Sequence, residues 1–391
     1  MISSLVLVLG LVAAGAARAD DSTAAPKTGE TYPYDWGVAY YMSYDNNLEG
    51  CGQIIIDAIK SGVVGERTVA AVQADFTDAG GMHRYTIAPG ACSETRTASD
   101  DSASEEEAAK YFRWFVDTYK CRKYVFTFLD HGGRIDEMCY DENPGRRGRQ
   151  WMSGRIMGEK LRALSKDMGG RFELLFLQQC GRGSVENLYA FRGTASFVMS
   201  SPVPVGAPNT YYTALHKWLG EHPQATGDQI ADEIATEDQD YTIYTCARGS
   251  KLAELPAKLD AAIAPFLGKK ALATPERPPV IHPVGEPIVD LRTYLDRLAS
   301  ANGGEAKPVE ALEAWAKKDL FTMVRFRNPR SRAAKQLCGL SIFAAGTPEE
   351  ARRYEKLELY SASKLPQLWK KLLADAKEAE KAKREKTAGN F

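Results

Sequence analysis

The chain has almost no surplus charge: 50 Lys and Arg stand against 51 Asp and Glu, leaving −1. That removes the electrostatic argument for a nucleic-acid partner or an anionic membrane surface. Beyond its first residues it has no apolar run approaching the ~18 residues that a membrane span needs. It has no C-x-x-C or C-x-x-H pair, the spacing that zinc sites favour, so a metal centre of that kind is not expected. It has no internal repeat. No cysteine follows its N-terminal apolar stretch, so nothing supports a lipid anchor. What is left is a chain of 391 residues, 44% hydrophobic, long enough for two or three domains and a sizeable core.

Residues 2–14 are apolar and are followed by Ala17-Arg18-Ala19, the pattern of a secretory leader with a small-residue cleavage site, although the n-region carries no Lys or Arg. The expected division is a signal peptide at 1–19, a mobile mature N-terminus at 20–31, a catalytic core at 32–267, a Pro-rich linker or surface-hugging extended segment at 268–287, a C-terminal extension at 288–373 packed on the core, and a charged tail at 374–391. Export to the periplasm or medium follows, with no membrane attachment once the leader is removed. Seven cysteines suit an oxidising compartment. Setting Cys180 aside leaves Cys51, Cys92, Cys121, Cys139, Cys246 and Cys338, an even number compatible either with disulfides or with buried thiols.

Two short runs stand out. Residues 123–129 are Lys-Tyr-Val-Phe-Thr-Phe-Leu, followed by Asp130-His131-Gly132-Gly133. Residues 172–177 are Phe-Glu-Leu-Leu-Phe-Leu, followed by Gln178-Gln179-Cys180-Gly181. Both suit strands buried on both faces, and each ends on a reactive side chain next to glycine. Ligands of an open parallel sheet bind beyond the carboxyl ends of its strands. A histidine and a cysteine in one such crevice can form a nucleophile and its proton partner. The other histidines, His83, His216, His222 and His282, lack such a setting and read as ordinary surface or core residues.

The rest of the chain fits this frame. Residues 36–42 and 68–73 read as strands around a helix at 48–59, and 84–87 as a hairpin arm. Ser104 to Glu107 has a capping-box pattern opening a helix whose apolar side chains recur to Tyr119. Residues 134–155, rich in Gly and Arg, read as an exposed loop, and 157–168 as a helix stopped by Gly169-Gly170. A strand is expected at 195–201, helices at 211–219 and from Thr226, helices again at 290–298, 309–320 and 365–374, and a strand at 339–343. The strand–helix alternation argues for an α/β fold with a parallel sheet.

Several stretches together resemble the clostripain-like cysteine peptidases, relatives of caspases, legumains and gingipains: Tyr41-Met42 with Asp45-Asn46-Asn47-Leu48, Asp130-His131-Gly132-Gly133, the strand-end Cys180, and Gly339-Leu340-Ser341-Ile342. The resemblance spans residues 33–373. His131 precedes Cys180 by 49 residues, near the roughly 50 of caspases, and Gln178-Gln179-Cys180-Gly181-Arg182-Gly183 is similar to the caspase glutamine-x-cysteine pattern with one glycine inserted. The resemblance implies a caspase-like three-layer sandwich with a mostly parallel central sheet and a C-terminal α/β extension. It implies a secreted thiol endopeptidase with a His131/Cys180 dyad, a thioester acyl-enzyme and an oxyanion hole from the N–H groups of Gly132 and Cys180. Asp130 is a tempting orienting group, but dyad enzymes of this kind need no third residue. The sequence requires no cofactor; calcium enters through the resemblance alone. Partners are protein or peptide substrates, and a monomer is expected.

One departure concerns specificity. Relatives that cut after Arg or Lys carry an aspartate two residues before the cysteine, and here that position is Gln178, the candidate specificity residue. Arg146, Arg147 and Arg149 offer a processing loop between histidine and cysteine, or simply a solvated basic loop. Two other functions share these residues: a catalytically silent caspase-like binding module, and a thiol hydrolase of a non-peptide amide or ester. Thiol labelling compared with peptide-library cleavage separates them.

Overall fold

The computed structural model describes residues 31–78, 80–144, 148–304 and 307–388. The leader and most of the N-terminal stretch expected after it lie outside these residues, as do Arg146 and Arg147. Thirteen strands are described: β1 Tyr34–Ser43, β2 Thr68–Asp75, β3 His83–Ala88, β4 Ala91–Arg96, β5 Cys121–Leu129, β6 Glu137–Tyr140, β7 Trp151–Ser153, β8 Phe172–Gln178, β9 Phe197–Ser200, β10 Ile243–Arg248, β11 Ile288–Asp290, β12 Phe321–Phe326 and β13 Ser341–Phe343. Nine form one sheet in the order β12-β10-β9-β8-β5-β1-β2-β3-β4. Its centre, from β9 through β8, β5 and β1 to β2, is parallel. The edges are antiparallel.

The unbroken apolar runs have a direct cause. Trp36, Val38, Tyr40 and Met42 of β1, with Val125 and Phe176, enter one core cluster. Ala39, Tyr41, Phe126, Phe128 and Leu175, the alternate positions, enter the other. Side chains of a strand alternate between faces, so a strand covered on both sides must be apolar at every position. The first face is covered by α1 Glu49–Gly62, with α5 Tyr212–Glu221 and α6 Gly227–Glu237; the second by α2 Glu105–Thr118, α3 Gly154–Met168 and the short α4 Val185–Ala190. Each buried Phe or Leu contributes about 1.5–3 kcal/mol. The expected mixed α/β fold with a mostly parallel sheet between helical layers is therefore the observed one.

Helix ends follow local chemistry. Ser104 Oγ accepts from Glu107 N at 3.4 Å, the serine half of the expected capping box. Gln229 Oε1 accepts Thr226 N at 3.0 Å at the start of α6. Gly169 closes α3 at φ 57°, a left-handed position that glycine occupies without strain.

Three stretches differ from the sequence reading. Residues 134–155 are not a plain exposed loop: β6 and β7 pair there, burying Met138, Cys139 and Met152. The arms are only four and three residues long, too short for a clear alternation signal, and the Arg- and Gly-rich stretch lies between them. Of the two readings of the Pro-rich stretch, the packed segment rather than the free linker is found: His282 and Glu286 are buried and Val280 bridges Val289. Beyond it, β12 completes the main sheet beside β10, and β13 meets Ser184 behind the cysteine loop. All seven cysteines are free thiols, with Cys121, Cys139 and Cys246 buried. An even count carries no geometric information about pairing.

Candidate active site

The register of β5 against β8 ends at Leu129 opposite Gln178. Two residues further along each strand stand His131 and Cys180. The backbones touch here: a Cβ on Gly132 would fall 2.0 Å from the carbonyl oxygen of Cys180, so no larger residue fits. Both reactive side chains are partly exposed while their strands are buried. Among the described residues, no hydrogen bond occupies the N–H of Gly132 or that of Cys180. Gly181, at φ 69°, turns the chain immediately after the cysteine.

His131 Nε2 lies 2.8 Å from Asn47 Oδ1. With Nε2 donating, the lone pair sits on Nδ1. Burial holds this imidazole below its usual value, so it is neutral at pH 7. Asn46, one residue earlier, donates to the carbonyls of Ser43 and Tyr140, each at 2.8 Å, and to Asp130 Oδ1 at 3.0 Å. Asp130 is committed there and to Tyr140 N. It does not orient the His131 ring; burial drives its carboxyl pKa upward. An open cleft of about 670 Å³ runs past Asn47, His131, Gly132 and Glu137 to Trp151.

Cys180 Sγ lies 3.3 Å from Val205 N and 3.5 Å from Val205 O. Behind it, Arg182 is fully buried, and its guanidinium donates to five backbone carbonyls: Cys180 at 3.1 Å, Glu137 at 2.7 Å, Gly133 at 2.8 Å, Arg134 at 3.0 Å and Ile135 at 3.3 Å. Burial lowers its pKa to about 10, which still leaves it charged at neutral pH. His282 Nε2 lies 3.1 Å from the carbonyls of both Gly132 and Gly133, and its ring packs on Gly181. Burial first, then the Arg182 charge, holds it down to about 4, so it donates as a neutral ring. Glu286 Oε2 accepts Ile135 N at 3.3 Å. The stretch read as a linker thus braces the histidine loop.

Gln178 does not line the cleft. It is buried, with Nε2 bonded to Asn209 Oδ1 and, at 2.9 Å, to Tyr212 Oη, and Oε1 accepting from Tyr211 Oη. Asn209 in turn donates to Asp238 Oδ2 at 2.8 Å, where Tyr244 Oη also donates at 2.8 Å. Arg149 is tied to the Glu105 carboxylate at 2.6 Å near the start of α2, away from Gln178. An exposed carboxylate, Asp240, packs against Gly206, the residue after Val205.

Beside the histidine arm, Asp45, Asp75 and Asp141 each offer one oxygen within 4.8 Å of the others, and all three are buried. Burial pushes Asp75 up to about 8 and Asp141 up to about 6.

Sequence reasoning missed Asn47, Arg182, His282 and Glu286 as parts of this region. For Arg182 a signal existed, its place two residues after the cysteine between glycines. For His282 and Glu286 none did, because their partners lie about 150 residues away.

No protein-family model and no curated protein matches the chain. Solved structures do. An inactive zymogen C11 protease from Parabacteroides distasonis aligns at TM-score 0.63 and 18% identity, over 85% of this chain and 99% of that one. A secreted C11 cysteine protease from Bacteroides thetaiotaomicron, in complex with an irreversible peptide inhibitor, aligns at TM-score 0.63 and 15% identity, over 84% and 99%. A further structure of a secreted C11 cysteine protease from that organism aligns at TM-score 0.63 and 15% identity, over 85% and 100%.

Proposed function

We propose that this chain, which has the fold of the C11 cysteine proteases, is itself an exported clostripain-like cysteine endopeptidase with Cys180 as nucleophile and His131 as its acid–base partner. The observation that carries the reading is the β5–β8 register, which brings the two strand ends together with two unpaired N–H groups beside them.

In this reading His131 takes the thiol proton and the Cys180 sulfur attacks the scissile carbonyl carbon. The carbonyl oxygen becomes an oxyanion facing the N–H groups of Gly132 and Cys180, fixed donors that need no reorganisation. As the tetrahedral intermediate collapses, the C–N bond breaks and the imidazolium gives its proton to the leaving amine. The thioester is then cleaved by water, deprotonated by the same ring, and the thiol is regenerated. Arg182 and His282 do not touch the reacting atoms. They are positioning residues that hold the two loops carrying these atoms.

Specificity follows from charge. Gln178 is buried with its amide already bonded and supplies neither a carboxylate nor a contact to the cleaved residue, so preference for Arg or Lys would rest on another carboxylate such as Asp240 beside Gly206; without one it is weak, and self-cleavage at Arg146, Arg147 or Arg149 is slow or absent. Among the described residues no helix is long and apolar enough to cross a membrane. The leader reading adds cleavage after Ala19, checked by sequencing the N-terminus of the exported protein.

The deciding experiment incubates the chain and its Cys180→Ala and His131→Ala variants with a peptide library. Both substitutions should lower hydrolysis by at least about 10³-fold with the melting temperature almost unmoved. Unchanged hydrolysis by purified Cys180→Ala would remove the nucleophile assignment.

A further inference from the structure

Where the Pro-rich stretch passes the helices Leu291–Ala301 and Leu365–Ala388, it borders a pocket of about 240 Å³. The pocket shares no lining residue with the cleft at His131. Its walls are mostly apolar, with Pro275, Ala345, Leu372 and Ala376 among them. Two side chains that can donate strong hydrogen bonds also line it, Tyr294 and Arg277. Neither is used up by its surroundings.

Tyr294 is 4% exposed, and its ring packs edge-on against Trp369 at 5.6 Å. Among the described residues its hydroxyl has no hydrogen-bond partner. Polar groups this deeply covered are almost always paired, so the free hydroxyl calls for a partner from the pocket. Burial pushes the phenol pKa upward, which keeps it a donor at neutral pH, and the charge acting on it is that of Arg277. The guanidinium packs on Gly346, where a Cβ would fall 1.9 Å from Arg277 Nη2, so glycine is what admits it. Its backbone carbonyl accepts from Arg297 Nη1 at 3.1 Å, which fixes the chain there. Glu350 Oε2 is 3.9 Å away, beyond hydrogen-bond distance, and already accepts Gly346 N at 2.7 Å and Thr347 N at 3.1 Å.

An apolar pocket with a few convergent donors, one of them cationic, complements an anion that carries a hydrocarbon body. The planar guanidinium matches a carboxylate, which can also accept the phenol. One guanidinium balances one negative charge, whereas a dianion such as a phosphate monoester would leave charge against apolar walls. At the roughly 30 Å³ that a water molecule takes in the liquid, 240 Å³ has room for about eight non-hydrogen atoms.

We propose that this pocket binds a small monocarboxylate with a compact apolar body, its carboxylate held by Arg277 and the Tyr294 hydroxyl and its hydrocarbon part lying against Leu372 and Ala376. The site stands on its own residues and does not rest on the peptidase reading.

The test uses the full chain with Cys180→Ala and sodium hexanoate as the probe, in calorimetry and thermal unfolding, against sodium chloride at equal ionic strength. Expected are one site per chain, a Kd on the order of 10⁻⁴–10⁻³ M, and a melting temperature raised by roughly 2 °C at about twentyfold excess over Kd. Hexanamide, which keeps the shape without the charge, should bind at least about tenfold more weakly. Tyr294→Phe removes one oxygen and should weaken hexanoate at least about tenfold. It should leave the melting temperature of the free protein no lower, because no hydrogen bond is lost. Arg277→Gln, at a half-exposed position, should weaken binding to a similar degree and serves if Tyr294→Phe does not fold. N-acetyl-leucine distinguishes the sources of the carboxylate: tighter binding than hexanoate assigns a peptide C-terminus, weaker binding a free acid. Absence of saturable binding at about ten times the upper Kd, an amide as tight as the acid, or unchanged affinity in the folded variants would overturn the site. A lower melting temperature of free Tyr294→Phe would do the same, since it would show that the hydroxyl already has a partner.

Discussion

The two strand ends that meet at the crevice are supported in opposite ways. Behind Cys180 most polar groups are matched: Gln178, Asn209, Asp238 and Tyr244 form a connected buried network and Arg182 meets five carbonyls, while Gln179 Oε1 and His282 Nδ1 are left without a partner. Beside His131 the polar groups are bonded through Asn46 and Asn47, but three buried carboxylates, Asp45, Asp75 and Asp141, face one another and Asp75 Oδ2 has no partner. A satisfied network holds one geometry, whereas an unsatisfied one is a place where a proton or ion can change the balance. The Cys180 end is thus set by the fold more firmly than the His131 end.

The comparison can be broken most severely at Arg182. Arg182→Met should strand several buried carbonyls and cost at least about 3 kcal/mol, read as a lower denaturant midpoint, and should slow Cys180 alkylation as the two loops separate. A variant as stable as the parent would mean that the guanidinium is not the clamp. Next in size is Gln178→Asp, which introduces a carboxylate one methylene shorter into the network that already contains Asp238. The expected loss is about 2–3 kcal/mol, with little gain in cleavage after Arg. A stable variant with sharply increased Arg cleavage would show that this position faces the substrate after all.

The histidine end should respond differently. Asn47→Ala should leave the melting temperature within about a degree yet lower kcat/KM roughly tenfold, equivalent to about 1.4 kcal/mol, because the ring loses its orienting partner. A large stability loss would place Asn47 in the rigid half. The smallest effect concerns pH. Burial lowers the His131 pKa, so the neutral ring persists below the usual histidine value and the acid limb of kcat/KM should have its midpoint below about 6.5. The same sign holds for stability. A depressed histidine contributes above its unfolded pKa, and the contribution fades as pH falls towards the folded value. A midpoint above 6.5 would mean that the ring is held charged.

Much of this architecture was legible before any coordinates. The central strands carry apolar residues at every position because both faces are covered, and a run such as residues 123–129 shows that locally. His131 and Cys180 could be picked out because each follows such a run and precedes glycine. Residues 134–155 were not legible, since arms of three and four residues have too little periodicity to separate from a loop.

The sequence by itself determined the sheet, its strand ends and the two reactive residues there, because burial on two faces and the turn after a strand are written in neighbouring side chains. The tertiary structure alone decided what surrounds them. Asn47 reaches His131 across 84 positions, His282 reaches Gly132 across 150, and Asp238 reaches Asn209 across 29. Hydrogen bonds of this kind depend on which donors and acceptors folding brings within about 3 Å, and no local pattern along the chain encodes that meeting.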